Sequence, residues 1–395
     1  MRILIISPRL NIAGGVETYL RAVISELVAA GHEIGILCDD SLTACSDSIV
    51  SAHPEVPIWR EDSQPATEIF RELNRWNPNV IYAHGACSVN LENLLLNKYP
   101  VVLYSHNYYG TCISGTKCHS RANWNTCERT LGPGCLAAYF PLGCGGNNPF
   151  TMLQLYRQQM QRRNSLVRFE KILVASSHMI EEYQRHGLAP DRLALVPLFP
   201  PQSVSLPGPP EPRPFSNRLF FAGRLTLLKG LEQLILALPT ASQRLNRRLK
   251  LVVAGTGPER DRLELLAKQY QLPVTFLGWV TSERAQAEML QADLLAVPSV
   301  WPEPFGLVGI EAGCIGLPSV GFLSGGIRDW LIPGVSGEGT SVLDSEGLAD
   351  CLVRALCSLD HWQRLRCGAW EIARRFTMER HLEQLLTILH SSIQK

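Results

Sequence analysis

Two glutamates lie seven residues apart in the stretch Trp301-Pro302-Glu303-Pro304-Phe305-Gly306-Leu307-Val308-Gly309-Ile310-Glu311. A helix opening near Phe305, at a rise of roughly 1.5 Å per residue, would place the two carboxylates within about 12 Å of each other. That span suits a ligand with hydroxyl groups at two separated ends. A sugar nucleotide has this form, because its hexose and ribose flank a diphosphate that could meet the free amides opening the helix.

Positive charge to match a diphosphate stands upstream in Gly223-Arg224-Leu225-Thr226-Leu227-Leu228-Lys229-Gly230, directly after the apolar run Leu219–Ala222. Arg offers a planar fork of donors, Lys a compact charge, and a helix start adds amides and a positive dipole. The order is not that of a Walker loop, which needs Gly-Lys-Ser/Thr after a longer glycine-started turn. Two further turns follow strand-like runs. Gly255 and Gly257 in Val252-Val253-Ala254-Gly255-Thr256-Gly257-Pro258-Glu259 would let backbone approach a ligand, and Gly325-Gly326 opens the loop running to Asp329.

These groups need a scaffold, and the chain alternates strand and helix patterns as a parallel sheet covered on both faces does. Ile3–Ser7, a turn at Gly14-Gly15, a helix over Thr18–Ala30 and a strand over Glu33–Cys38 make one βαβ unit. Apolar runs at Val80–Ala83, Val101–Ser105 and Ile172–Ser176 extend the sheet. Eight prolines between Val196 and Ser216 then interrupt the pattern, which marks a linker. The alternation restarts at Leu219–Ala222. It continues through a helix from Gly230 to Leu238, strands at Lys250–Ala254, Val274–Leu277 and Leu294–Pro298, and a helix over Glu259–Tyr270. Later helices are expected over Leu348–Leu356, His361–Phe376 and about Leu382–Leu389. The expected organisation is α/β: a first domain over 1–200, a linker over 201–216, a second domain over 217–375, and a terminal helix over 376–395 packing back on the first.

Composition bounds the function classes. The 395 residues are 46% hydrophobic and 18% charged, with a net charge of +1, so there is ample core and no basic excess of the nucleic-acid-binding kind. The first apolar run is too short for a signal-peptide core and no window approaches a membrane span. A cytoplasmic protein is expected, with any membrane contact peripheral and on the inner face.

In order and spacing, Gly14-Gly15-Val16-Glu17, Gly-Arg-x4-Lys-Gly, Gly-Thr-Gly-Pro, Glu-x7-Glu and Gly325-Gly326 together resemble the retaining glycosyltransferases of family 4, also grouped as glycosyl transferases group 1. The resemblance implies the GT-B architecture, two facing Rossmann-like doubly wound domains with a cleft between them. By the same resemblance Gly223, Arg224 and Lys229 hold the donor diphosphate and Glu311 the ribose hydroxyls. Glu303, with the amides near Phe305, Gly306 and Leu307, holds the donor sugar. Gly15 approaches the phosphates from the other domain, Gly255 and Gly257 approach the ligand, Gly278 and Val280 lie against the base, and His106 contacts the sugar. Glu303, His106, Arg224 and Lys229 are then the catalytic group.

The activity so implied is transfer of a sugar, with retention, from a nucleoside-diphosphate sugar to a glycan, lipid-linked or small-molecule acceptor, in polysaccharide or glycoconjugate synthesis. No Asp-x-Asp sequence occurs, so a metal-independent reaction is expected, in which the leaving phosphate oxygen helps deprotonate the acceptor. The two glutamates are accordingly not the acid and base of a glycoside hydrolase. Two other classes compete: a dinucleotide-dependent oxidoreductase, suggested by Gly14-Gly15 and the Asp39-Asp40 pair, and a non-catalytic sugar-nucleotide-binding protein. The first lacks Gly-x-Gly-x-x-Gly, and the second does not explain why every charged donor-site residue is present.

Two departures from the family pattern stand out. Asp329 occupies a place where the family commonly has Glu, which would alter contacts near the donor sugar. Residues 110–146 carry Cys112, Cys118, Cys127, Cys135 and Cys144 together with His119. Without a Cys-x2-Cys pair, this insertion leaves structural zinc, free thiols and disulfides all open, and its place after His106 ties it to acceptor choice. Arg157, Arg162, Arg163, Arg168 and Lys171 form a nearby basic stretch that either is a solvated helix face or rests on anionic lipid.

Overall fold

The structure is a computed structural model that describes residues 1–12, 14–39, 48–85, 87–121, 125–201 and 206–393. The first sheet is parallel, with seven strands in the order β3-β2-β1-β4-β5-β8-β9. They are β1 (Arg2–Ser7), β2 (Glu33–Cys38), β3 (Ile58–Arg60), β4 (Val80–Ala83), β5 (Val101–Ser105), β8 (Lys171–Val174) and β9 (Leu193–Leu195); β6 (Cys118–His119) and β7 (Asn125–Thr126) form a separate ribbon in the insertion. Helices α1 (Gly15–Ala29), α2 (Ala66–Trp76), α3 (Val89–Lys98), α4 (Gly134–Tyr139), α5 (Pro149–Ser165) and α6 (Ser177–Arg185) belong to this half.

Strand β1 shows why the sheet is covered twice. Ile3 and Ile5 pack with Leu20, Val23 and Ile24 of α1, whereas Leu4 and Ile6 pack with Ile69, Leu73 and Leu91 on the other face. A strand with both faces buried loses the polar alternation of an exposed sheet, hence the continuous Ile-Leu-Ile-Ile run.

The second sheet is parallel and ordered β12-β11-β10-β13-β14-β15. Its strands are β10 (Arg218–Ala222), β11 (Lys250–Ala254), β12 (Val274–Gly278), β13 (Leu294–Val297), β14 (Ser319–Phe322) and β15 (Gly337–Thr340). Around it lie α7 (Leu231–Leu245), α8 (Arg260–Gln269), α9 (Ser282–Gln291), α10 (Leu307–Cys314), α11 (Ser345–Leu356) and α12 (Leu359–Ala373), followed by α13 (Met378–Ile393). Renumbered within its own half, the order is 3-2-1-4-5-6, the doubly wound arrangement that binds ligands where the winding reverses, at the carboxyl ends of the central strands.

Several elements differ from their sequence-based bounds. Helix α7 runs through Pro239 to Leu245 rather than stopping at Leu238, because Leu234, Ile235, Leu238 and Ala241 are all buried beneath it and hold the helix across the missing amide. The short strand β15, rich in glycine, carries no apolar run by which to recognise it. One core cluster crosses the halves. Leu385 and Leu389 of α13 join Tyr82 and Tyr104 of the first sheet and Phe220 and Ile310 of the second.

Candidate functional site

The loops at the two switch points carry the candidate residues. Gly14 and Gly15 follow β1, Gly223–Gly230 follows β10, and residues 298–306 follow β13. The β10 loop is pressed against the β13 loop: Gly230 has φ 65°, and a Cβ there would lie 1.8 Å from the Pro298 carbonyl oxygen. Only glycine fits, and this places Lys229 over the second loop. Its Nζ lies 2.5 Å from Glu303 Oε1 and 5.3 Å from the Trp301 ring centroid. Ser299 Oγ donates to the same carboxylate oxygen at 2.7 Å, and Glu303 itself is buried. Lys229 and Glu303 are therefore an ion pair. Arg224 differs: it is exposed, and its guanidinium has no partner among the described residues.

A cleft of about 660 Å³ is lined by Gly14, Gly15, Thr18 and Arg21 of the first half and by Trp279, Val280, Glu283, Leu307 and Glu311 of the second. Two helices open into it. Neither α1, preceded by Gly14, nor α10, preceded by Gly306 at φ 82°, has a side-chain cap on its first amides. Free amides and two positive helix ends facing one cleft make it a site for an anion. Burial raises the Glu311 carboxyl above its usual range, so a hydroxyl-bearing ligand would meet a carboxylate that is poorly solvated.

The cleft thus gathers Gly15, Val280, Leu307 and Glu311, while Arg224, Lys229, Glu303 and His106 stand outside its lining. Several of the expected site residues have roles within the fold itself. At Gly255 and Gly257 Cβ atoms would lie 2.0 Å from Gly223 O and 2.3 Å from Leu225 O, so these glycines let the β11 loop pack on the β10 loop. The Phe305 side chain is in the core, against Phe376, and its carbonyl accepts from Trp330 Nε1 at 2.7 Å. Gly278, at φ 77°, accepts from the Gly255 amide and is a turn residue.

Asp329 is turned toward the first half. Its carboxylate accepts from the Ser177 amide at 2.7 Å and from Ser177 Oγ at 2.5 Å, so it caps α6 of the opposite half. Beside it Ser176 Oγ donates to Pro304 O and Tyr108 Oη to Pro302 O, both at 2.5 Å. These bonds join the halves directly behind Glu303.

His106 is half-buried and shares a 2.9 Å hydrogen bond with His84 Nδ1. Burial holds His106 down to about 3 and His84 well below its usual value, so both are neutral. His84 Nε2 is buried without a partner among the described residues. A second chain of bonds runs nearby. His381 Nδ1 donates to Pro197 O, which obliges His381 Nε2 to accept from Tyr19 Oη, and Tyr19 in turn accepts from Tyr82, each at 2.7 Å. Helix α13 is thereby fixed to α1 and β4. Sequence reasoning missed Ser299, Arg21, His84 and His381, none of which carries a motif; only the topology brings them here.

The insertion's Cys112, Cys118, Cys127, Cys135 and Cys144 are all free thiols, and among the described residues no group of three or more His, Cys, Asp or Glu can hold a metal ion. This removes the support for structural zinc. Cys135 and Cys144 turn instead to backbone carbonyls of Thr130 and Ala138, and Cys118 to that of Val300. Asp40 of the oxidoreductase reading lies outside the described residues. The basic stretch is mostly engaged within the fold: Arg162 stacks on Tyr109, Arg163 donates to Leu131 O, Arg168 to Asn93 and Asn97, and Lys171 to Asp191 O. No described helix is long and apolar enough to cross a membrane.

Comparison with known proteins agrees with this geometry. The family model for Glycosyltransferase Family 4 matches residues 13–199 and that for Glycosyl transferases group 1 matches residues 210–361. An uncharacterized glycosyltransferase of Methanocaldococcus jannaschii is 41% identical over 121 residues, 30% of this chain and 30% of that protein. A glycogen synthase of Mycobacterium tuberculosis is 34% identical over 141 residues, 35% and 34% of the two chains. A D-inositol 3-phosphate glycosyltransferase of Xylanimonas cellulosilytica is 34% identical over 179 residues, 44% and 42%. The chain spans less than half the length of these curated relatives. Among solved structures, Anabaena HepE in complex with UDP aligns with a TM-score of 0.70 at 18% identity, over 99% of this chain and 100% of that one. Sucrose-phosphate synthase of Thermosynechococcus elongatus aligns with a TM-score of 0.70 at 20% identity, over 99% and 98%. The two family models divide most of the chain between them, and its fold is GT-B.

Proposed function

We propose that this chain transfers a sugar from a nucleoside-diphosphate sugar to a hydroxyl-bearing acceptor, with retention and without a metal, in the manner of family 4. The observation that carries the reading is the 660 Å³ cleft into which two uncapped helix ends open, with Glu311 at one side. Nucleotide and ribose fit there, against Trp279, Val280 and Glu311. The diphosphate then lies toward Arg224, whose unpaired fork stabilises the charge that develops on the leaving group. Lys229 keeps further donors free while bonded to Glu303, so it reaches phosphate without giving up the carboxylate. Glu303 orients the donor sugar and stabilises its oxocarbenium-like centre, and neutral His106 contacts the sugar from the first half. UDP is the first base to test, since Anabaena HepE is bound to it. The acceptor is a glycan, a lipid-linked sugar or a small molecule, approached from the side of the insertion.

The test is thermal unfolding with UDP, GDP and ADP, then with their sugars. A nucleotide at 100 times its dissociation constant stabilises by about 2.7 kcal/mol. One diphosphate is expected to stabilise the wild type and to lose most of that effect in Arg224→Ala. Stabilisation by NAD instead, or by no nucleotide, overturns the reading. Retention is read from the anomeric proton of the product by NMR.

A further inference from the structure

A second cavity, of about 220 Å³, opens between the insertion and the second half, and shares no lining residue with the donor cleft. Tyr108, Lys117 and Glu128 form one side with His178 and Glu181 of α6, and Arg328 stands on the other. That second side also includes Pro302 and Gly325, and Gly325 pairs with the Glu303 backbone. An occupant would therefore rest on the backbone that holds Glu303.

The chemistry of the cavity follows from which charges are already used. Lys117 is buried; its Nζ binds Glu182 Oε1 at 2.5 Å and Arg129 O at 2.7 Å. Arg185 binds the other oxygen of Glu182 at 2.8 Å. Those two cations are spent on one buried carboxylate. Glu128 and Glu181 are exposed, and neither makes an ion pair or hydrogen bond with a described residue. Arg328 donates from Nε to Leu323 O at 2.7 Å, which leaves its two terminal nitrogens free. Tyr108 gives its single proton to Pro302 O, so the 2.8 Å bond to His178 Nε2 has the histidine as donor and leaves Nδ1 as an acceptor. Burial, with Arg185, Arg328 and Lys117 adding to it, holds His178 down to about 4, so the ring is neutral.

The free groups are thus two carboxylates, one imidazole nitrogen and one guanidinium fork. Carboxylates on the wall repel phosphate and uronate, while hydroxyl groups donate to them and accept from Arg. We propose that this cavity holds an uncharged sugar unit of the acceptor, with Glu128 and Glu181 taking its hydroxyl protons and Arg328 donating to its oxygens. The proposal rests on the glycosyltransferase reading and adds the acceptor class to it. It also gives the insertion a role, since Lys117 and Glu128 come from that segment.

The test uses the full chain and saturation-transfer NMR with methyl glycosides of glucose, galactose, mannose and N-acetylglucosamine, beside glucose 6-phosphate and methyl glucuronide, each at about 10 mM so that millimolar affinity registers. At least one neutral glycoside is expected to bind the wild type more strongly than either anionic sugar. In the Glu128→Gln/Glu181→Gln double variant that preference should shrink at least about fivefold, and Arg328→Gln should weaken the neutral sugar, with thermal stabilisation by UDP unchanged in both. No neutral glycoside bound, equal binding in the variants, or a wild type that prefers the anionic sugars overturns the proposal. Nucleotide and glycoside binding are read separately, so failure of UDP to stabilise the wild type counts against the donor reading, and insensitivity of glycoside binding counts against the cavity alone.

Discussion

Glu303→Gln separates a catalytic carboxylate from a structural one. The amide keeps the side chain's size, can still accept from Ser299 Oγ at 2.7 Å and from Lys229 Nζ at 2.5 Å, and removes only the negative charge. Stability should change little. The pair is buried on the glutamate side, but Lys229 is 28% exposed, so solvent screens the lost charge and the cost is about 1 kcal/mol. The reaction should respond more strongly, because a carboxylate held against a developing oxocarbenium-like centre acts in a poorly solvated site. Loss of one such preorganised group costs about 10²-fold or more in rate, close to 3 kcal/mol of transition-state stabilisation. The assay is single-turnover transfer at saturating donor, with thermal stabilisation by the bare diphosphate as the control, since the diphosphate lacks the sugar that Glu303 is assigned to. A rate within about threefold of wild type, with unaltered nucleotide binding, refutes the assignment and leaves Glu303 as the partner of Lys229 alone.

Three further outcomes follow from the geometry. His381 has its pKa lowered to about 4 by burial, against 6.5 when unfolded, so it contributes nothing unfavourable above the unfolded value; as pH falls below that, the unfolded chain takes up a proton first. Stability should therefore decline from about pH 6.5 toward 4, and His381→Phe, read by urea unfolding at pH 7 and pH 5, should show a smaller decline than wild type; equal declines refute it. Asp329→Ala leaves the Ser176 cap of α6 in place but removes the acceptor of the Ser177 amide and hydroxyl, and should cost about 1 kcal/mol with a lowered urea midpoint, whereas an unchanged midpoint rules out that stabilising role. Burial pushes the Cys118 thiol up to about 12, so it should resist iodoacetamide at pH 8 in the native state and react freely once the chain is unfolded; rapid native labelling of this residue would contradict its burial beside Val300.

The donor side was the most legible part of the chain because its chemistry is local. Gly-Arg-x4-Lys-Gly occupies a single strand-to-helix connection and Glu-x7-Glu one connection and the helix that follows it, so each motif was readable from spacing along the sequence. Glycine was harder to interpret. At Gly15 a Cβ would meet nothing within 4 Å, whereas at Gly255 and Gly257 it would strike neighbouring backbone, and the letters are the same. The cysteines were ambiguous in a related way: closeness in sequence left zinc, free thiols and disulfides open, and each thiol's direction is set by its own turn.

The sequence by itself determined the two α/β halves and the linker between them, since hydrophobic period and proline content are properties of short segments. It also singled out the charged residues proposed to serve the donor, for the same reason. Only the tertiary structure decided that Lys229 and Glu303 are paired, that Asp329 caps a helix of the opposite half, and that His381 reaches Tyr19 across the length of the chain. Those contacts join loops from different strands. Their partners are set by how two twisted sheets face each other, and no spacing within one segment encodes that.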